Sequence, residues 1–169
     1  MTFEPTTAER PALSDFAWRT LGAADARDAA EVIRAAFSAQ SRATRPPSSA
    51  LRETADSIAA KIAAGGGAGA FHGGSLVAVV LWQLDGDALH VGRVSVLPPF
   101  RGRGLTRRLI AACEAAARER GAQRIRLRVR LALPENERLF ERFGFVRRSL
   151  EAHEGFDAPT TAVMEKRLS

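Results

Sequence analysis

The segment His90–Arg108, HVGRVSVLPPFRGRGLTRR, constrains this chain more than any other stretch. Val94 and Val96 alternate with Arg93 and Ser95, which predicts a strand with one apolar face. Pro98 and Pro99 stop that strand, because neither can donate to a sheet ladder. From there the apolar residues fall at Leu105, Leu109, Ala112, Cys113 and Ala116, the spacing of one helix face. The chain must therefore turn from strand to helix across Arg101-Gly102-Arg103-Gly104. The opening amides of a helix have no internal partner and carry the positive end of its dipole. Gly102 and Gly104 let the backbone approach a ligand closely. Arg101, Arg103, Arg107 and Arg108 add charge, so the junction predicts a cradle for a pyrophosphate.

Two familiar phosphate loops do not match. No lysine follows the glycines as a Walker loop requires, and the third glycine of a dinucleotide fingerprint is missing. Val96-Leu97-Pro98 and Arg101-Gly102-Arg103-Gly104-Leu105-Thr106 instead resemble the acetyl-CoA loop of the GNAT superfamily of N-acetyltransferases. That loop reads V-x-P, then R/Q-x-x-G-x-G/A; Thr106 stands where glycine or alanine is usual. Phe140-Glu141-Arg142-Phe143-Gly144-Phe145 resembles the family's Y-x-x-x-G-F, and Val163–Leu168 its last strand. The resemblance spans about residues 16–168.

The rest of the chain supports such a fold. Residues 1–14 read as a loose tail and 15–169 as a single domain. Strands are predicted at 16–21, 70–72, 76–84, the segment holding Val94 and Val96, 125–131, 145–151 and about 160–168. Helices are predicted at 25–38, 50–64, 102–120 and from Pro134 to Gly144, with Ser48 or Ser49 capping the second. The glycine run at 65–69 reads as the stop of that second helix, and Gly73-Gly74 as a hairpin turn. The order β-α-α-β-β-β-α-β-α-β-β is the one GNAT proteins show. The resemblance thus implies an α/β (α+β) GNAT fold, a mixed, mostly antiparallel sheet of six to seven strands flanked by about four helices.

The resemblance also implies acetyl-CoA as cofactor and acetyl transfer to a primary amine of a small molecule within a ternary complex. The backbone of Val94, Ser95 and Val96 is expected to hold the pantetheine arm, one N–H polarising the thioester carbonyl. Residues from Arg101 through Gly102, Arg103, Gly104, Leu105 and Thr106 to Arg107 are expected around the pyrophosphate. Several positions depart from the family pattern. The chain has no tyrosine, and Phe140 stands where the family often places a tyrosine acid. Leu133 replaces a frequent asparagine, with Asn136 one turn later as a pantetheine contact or a local helix-start bond. Arg128 stands where some members carry a glutamate base. The remaining proton-transfer candidates are His90, Glu151, His153 and Glu154. His153 and Glu151, beside the late hairpin loop, are the preferred catalytic residues, and the Ser95 hydroxyl or water the substitute acid. His90 reads as an exposed strand-end histidine. Acceptor specificity is expected from the loops 39–49 and 152–159; Arg42 and Arg45 in the first read as solvated charge.

Composition bounds the alternatives. A net charge of +6 suits a polyphosphate cofactor, and the basic residues are spread without the stacking aromatics of a single-strand binder, which argues against nucleic acid. No apolar run is long enough for a membrane span. The single cysteine, Cys113, lies on an apolar helix face and reads as packing in a reduced, cytoplasmic setting. No metal is expected, and the family admits a homodimer. A non-catalytic acyl-CoA sensor on the same fold is the second reading, favoured by the missing tyrosine, Leu133 and Arg128.

Overall fold

The longest unbroken apolar run, Leu76–Trp82, lies in a strand buried on both faces, and the sheet is built outward from it. The computed structural model describes residues 12–169. In chain order the elements are β1 (Phe16–Thr20), α1 (Ala26–Ser38), α2 (Ala55–Ala64), β2 (Gly66–His72), β3 (Ser75–Asp85), β4 (Ala88–Val96), α3 (Leu105–Glu119), β5 (Arg124–Arg130), α4 (Pro134–Arg142), β6 (Val146–Glu151) and β7 (Thr161–Arg167). The seven strands form one sheet in the order β1-β2-β3-β4-β5-β7-β6. All neighbours are antiparallel except β4 and β5, which α3 joins as a parallel crossover. Of the tail expected over 1–14, residues 1–11 lie outside the described residues, and Leu13–Asp15 form a 3-10 turn.

Each face of the sheet has its own core. Val80 and Trp82 of β3, Leu89 and Val91 of β4, and Ile125, Leu127 and Val129 of β5 pack with α3 and with Phe140 of α4. Leu76, Val79 and Leu81 of β3 face the other way, against the small residues of α1 and Ile58 of α2. Alternation along β3 thus feeds both layers. Cys113 is fully buried in the first core. Among the described residues, no helix is long and apolar enough to cross a membrane.

Two element boundaries correct the sequence reading. The helix expected over 50–64 is split. Ser48 caps only a 3-10 turn, Ser49–Arg52, and α2 starts afresh at Ala55 behind a reciprocal cap between Thr54 and Ser57. Leu51, within the span expected to be helical, is exposed. The second correction is β2, which begins at Gly66 inside the run read as a stop. Glycine is required there for space rather than for a turn. A Cβ on Gly67 would come within 2.6 Å of the Val80 carbonyl, and one on Gly69 within 2.6 Å of Leu76.

The split places Glu53 inside the protein, where it is 4 % exposed. Its carboxylate accepts from Lys61 Nζ, from Ser57 Oγ at 2.5 Å, and from Arg93 Nε and Nη2 at 3.0 and 2.8 Å. Burial alone would push its carboxyl up, but the bonds from Lys61, Ser57 and Arg93 together hold it below the usual range. A lowered folded value means the carboxylate stabilises above its unfolded value near 4.5 and loses that contribution as pH falls through the folded one. Glu53→Gln is expected to cost about 2–3 kcal/mol in urea denaturation at pH 7, because Arg93 and Lys61 lose their shared partner. The deficit should shrink as pH falls below about 4; an equal deficit at every pH would show that the charge is not what matters.

Candidate active site

Strands β4 and β5 pair only at Ala88↔Arg124, Leu89↔Ile125 and His90↔Arg126. Beyond His90 they diverge, and the gap opens toward the proline pair. A β-bulge marks the divergence: against β3, Val79 pairs with Ser95 but Leu81 with Gly92, so β4 carries one extra residue. Arg93 sits in it with φ of 55°, the only non-glycine residue with positive φ among those described. Such a conformation costs about 1–2 kcal/mol in a residue with a Cβ. The side chain is pinned by Glu53 and by Ser49 Oγ at 2.9 Å, which offsets that cost. Leu97 donates its N–H to Val77 of β3. By alternation Val96, and Val94 before it, turn their backbone groups toward the gap. The Val96 carbonyl is met there by Arg101 Nε at 3.0 Å.

At the wide end lies the turn into α3. Gly102 and Gly104 take φ of 74° and 81°, and Gly104 is the N-cap. No described residue accepts from the N–H groups of Gly102, Gly104, Leu105, Thr106 or Arg107, so the helix opens as a row of unpaired donors. Among the described residues, a Cβ at Gly102 would meet nothing within 4 Å. Arg101 serves the loop rather than an anion: its Nη1 and Nη2 donate to the Ala39 and Ala36 carbonyls at the end of α1. Arg103 Nη2 donates to the Pro99 carbonyl, and its side chain is not in the cavity wall.

One cavity of about 1000 Å³ joins this cradle to the opposite face of the sheet through the gap. On the cradle side its wall includes Thr106, Arg107, Asn136, Phe140 and Phe143. Phe140 is buried edge-on against Phe143 and Phe145 and offers an apolar wall with no proton to give. The Asn136 side chain has no partner among the described residues, while its N–H bonds the Leu133 carbonyl at 3.0 Å. On the far side the wall holds Lys61, Gln83, His90, Arg126, Arg130 and His153, together with Arg128 and Thr161. The 39–49 loop roofs this end. Arg130 Nη1 donates to the Pro46 carbonyl at 2.8 Å, and Ser41 bonds Glu135 of α4.

Residues 30–145 match the model of the acetyltransferase (GNAT) family. The chain belongs to the GNAT family of acetyltransferases. It is therefore an acyltransferase, with acetyl-CoA as its cofactor. No curated protein matches it by sequence. Among solved structures it is similar to the PaiA N-acetyltransferase from Thermoplasma acidophilum, in complex with coenzyme A, with a TM-score of 0.73 at 17 % identity over 90 % of this chain and 99 % of that one. The ribosomal-protein-S18-alanine N-acetyltransferase from Escherichia coli superposes with a TM-score of 0.72 at 18 % identity, covering 91 % and 94 %. Ard1 from Thermoplasma volcanium gives 0.72 at 18 % identity, covering 92 % and 99 %. At these identities the likeness is one of fold. The fit to the cofactor rests on this chain's own open donors at α3 and the unpaired backbone of β4.

The cavity gathers only part of the residue set that the sequence suggested. His153 lies in its wall. Glu151 does not; it is exposed and paired to Arg128 Nε at 3.0 Å, which holds its carboxyl below the usual range. The Ser95 hydroxyl is also outside, because the bulge turns it into the protein, where it is 2 % exposed and donates to the Arg93 carbonyl at 2.9 Å. Neither side chain stands in the cavity wall. Glu154, Arg42 and Arg45 lie outside as well. His90, read as an exposed strand end, instead sits half-buried at the apex of the gap. Burial, then Arg126 and Arg128, push its pKa down, and Arg126 Nη1 lies 3.4 Å from its Nε2.

Gly104→Val places a β-branched side chain at φ of 81° and narrows the approach to the open amides. Calorimetric titration with CoA should show affinity reduced by tenfold or more, with a folded sheet retained by circular dichroism. Unchanged CoA affinity would separate the glycine from the anion site.

Proposed function

We propose that this acyltransferase moves an acetyl group to the primary amine of a small molecule, by direct attack with both substrates in the one cavity. The observation that carries the reading is the gap between β4 and β5, since it connects the α3 cradle to a histidine-containing basin on the other face. Direct attack also agrees with Cys113, which is buried in the core, outside the cavity, with its thiol pushed up by burial.

Bound acetyl-CoA supplies the acetyl group as an activated thioester. The chain's residues do the remainder. The N–H groups from Gly102 to Arg107 and the α3 dipole hold the pyrophosphate, and Arg107 adds charge. The Val94 backbone and the Val96 N–H would hold the pantetheine amides, and a β4 N–H would be placed to stabilise negative charge on the thioester oxygen. Phe140 keeps water from the sulfur. Phe140 has no proton to give there, and none would be needed from the chain, because a thiol with a pKa near 8.5 would be an adequate leaving group near neutral pH.

His153 accepts the proton of the amine. Its Nδ1 lies 2.5 Å from Thr160 Oγ1, and that hydroxyl donates to the Glu151 carbonyl at 3.4 Å, so Nδ1 carries the hydrogen and Nε2 the lone pair. Burial and Arg130 push the His153 pKa down, opposed by Glu151, and the ring is neutral at pH 7. His90 Nε2 is already engaged, with Arg126 Nη1 at 3.4 Å and Asp85 Oδ2 at 3.5 Å.

The sign of the pH effect follows. His153 titrates below its ordinary value of 6.5, so activity should fall as pH drops through that lowered value and be flat above it until another group titrates. His153→Gln should lower kcat/KM by about 100-fold and abolish the acidic limb. Thiol release and mass-detected N-acetyl product, measured across pH 5–9 on a panel of amines, provide the test. An unchanged profile in the variant would remove His153 from the reaction; CoA binding without turnover on any amine would sink the reading itself.

A further inference from the structure

We infer that the acceptor carries a carboxylate beside its reactive amine, and that Arg130 and Thr161 hold that carboxylate at the far end of the cavity. The inference rests on the acetyl-transfer reading above and names the acceptor class for it.

The first observation is charge. Lys61, Arg93, Arg126, Arg128 and Arg130 all stand in the wall on the acceptor side. Glu53 meets Lys61 and Arg93, Glu165 meets Arg126, and Glu151 meets Arg128. Glu165 is shared with Arg124, which also takes Asp87. Arg130 is the cation of this group that meets no carboxylate among the described residues. Its Nη1 bonds the Pro46 carbonyl, and the rest of its fork is left for the cavity. A basin with this surplus opposes an acceptor whose only charge is an ammonium. It favours one that brings an anion with the amine, and the planar guanidinium fork matches the two oxygens of a carboxylate.

The second observation is independent of charge. Thr161 pairs in register with Arg130 across β5 and β7, so the two side chains share a face. Thr161 is 5 % exposed and lines the cavity, yet its hydroxyl has no hydrogen-bond partner among the described residues. A buried hydroxyl without a partner is costly, and a ligand oxygen beside Arg130 would satisfy it. Both residues stand in the cavity wall on neighbouring strands, and the same kind of atom suits both.

The test uses the whole protein and amino acids, each paired with its carboxamide and with the amine left when the carboxylate is removed. The carboxamides carry the less basic amine, so reactivity alone favours them. For the best acceptor, kcat/KM should be tenfold or more higher for the acid than for its amide. Arg130→Gln should bring that ratio close to one, mainly through KM. Arg130→Lys should keep part of it, and Thr161→Val, which deletes the hydroxyl at similar volume, should lower it severalfold. CoA affinity and thermal unfolding of each variant report whether the fold and the cradle are intact. Amides used as well as acids by the wild type, or an acid preference that survives Arg130→Gln, would overturn the inference while leaving acetyl transfer standing. Absence of N-acetyl product from every amine, with CoA still bound, would mean that the transfer reading has failed, and this inference with it.

Discussion

Adjacent strands in a sheet normally satisfy each other's backbone, and here β4 and β5 stop doing so after His90 and Arg126. Everything distinctive in the molecule follows from that broken pairing. Unpaired N–H and C=O groups inside a protein are expensive unless water or a ligand takes them. The bulge at Arg93 keeps the strands apart, and it persists because the guanidinium of Arg93 is anchored on the buried carboxylate of Glu53. Glu53 in turn is fixed from α1, where Arg34 Nη1 donates to its carbonyl at 2.6 Å. The layer of α1 and α2 is thus a brace for a strained strand as well as a cover for the sheet.

The second organising force is the placement of arginine. On the cradle side the donors are mostly backbone amides, and Arg101 is used up tying the loop to the carbonyl end of α1. On the acceptor side three of the guanidinium groups, Arg126, Arg128 and Arg130, come from alternate residues of β5, while Ile125, Leu127 and Val129 face the core. Their field depresses the pKa of both cavity histidines, His90 through Arg126 and Arg128, His153 through Arg130, each in addition to burial. A neutral imidazole in a cationic basin is a proton acceptor that stays available near neutral pH. The same residues that would draw an anion in therefore also keep a base ready.

Much of this was legible in the residues. The strand RIRLRVR, the hairpin at Gly73-Gly74 and the proline-to-glycine junction each pair a strong periodicity with the right punctuation, and each folds as read. The misreadings share a cause, which is that tertiary contacts decided them. The glycines at 66, 67 and 69 look like a helix stop, but neighbouring side chains and carbonyls leave no room for a Cβ, and they lie in a strand. The start of α2 hid because Ser57 takes the third capping position, where glutamate or glutamine is the usual sign. The inward turn of Ser95 and the pairing of Glu151 outside the cavity wall were hidden because a one-residue bulge and an ion pair with Arg128 leave no local signature. The half-burial of His90 was hidden for the same reason, since nothing in its neighbours shows that the adjacent strand leaves at that point.

The central claim is that the unpaired amides of β4 and of the α3 N-terminus are the grip on the cofactor. Residue-resolved amide hydrogen exchange, with and without saturating CoA, tests it most directly. The account predicts strong new protection at Val94, Val96 and across Gly102–Arg107, and little change in β1, β2 or β6. Exchange at those amides unaltered by CoA that is demonstrably bound would contradict it.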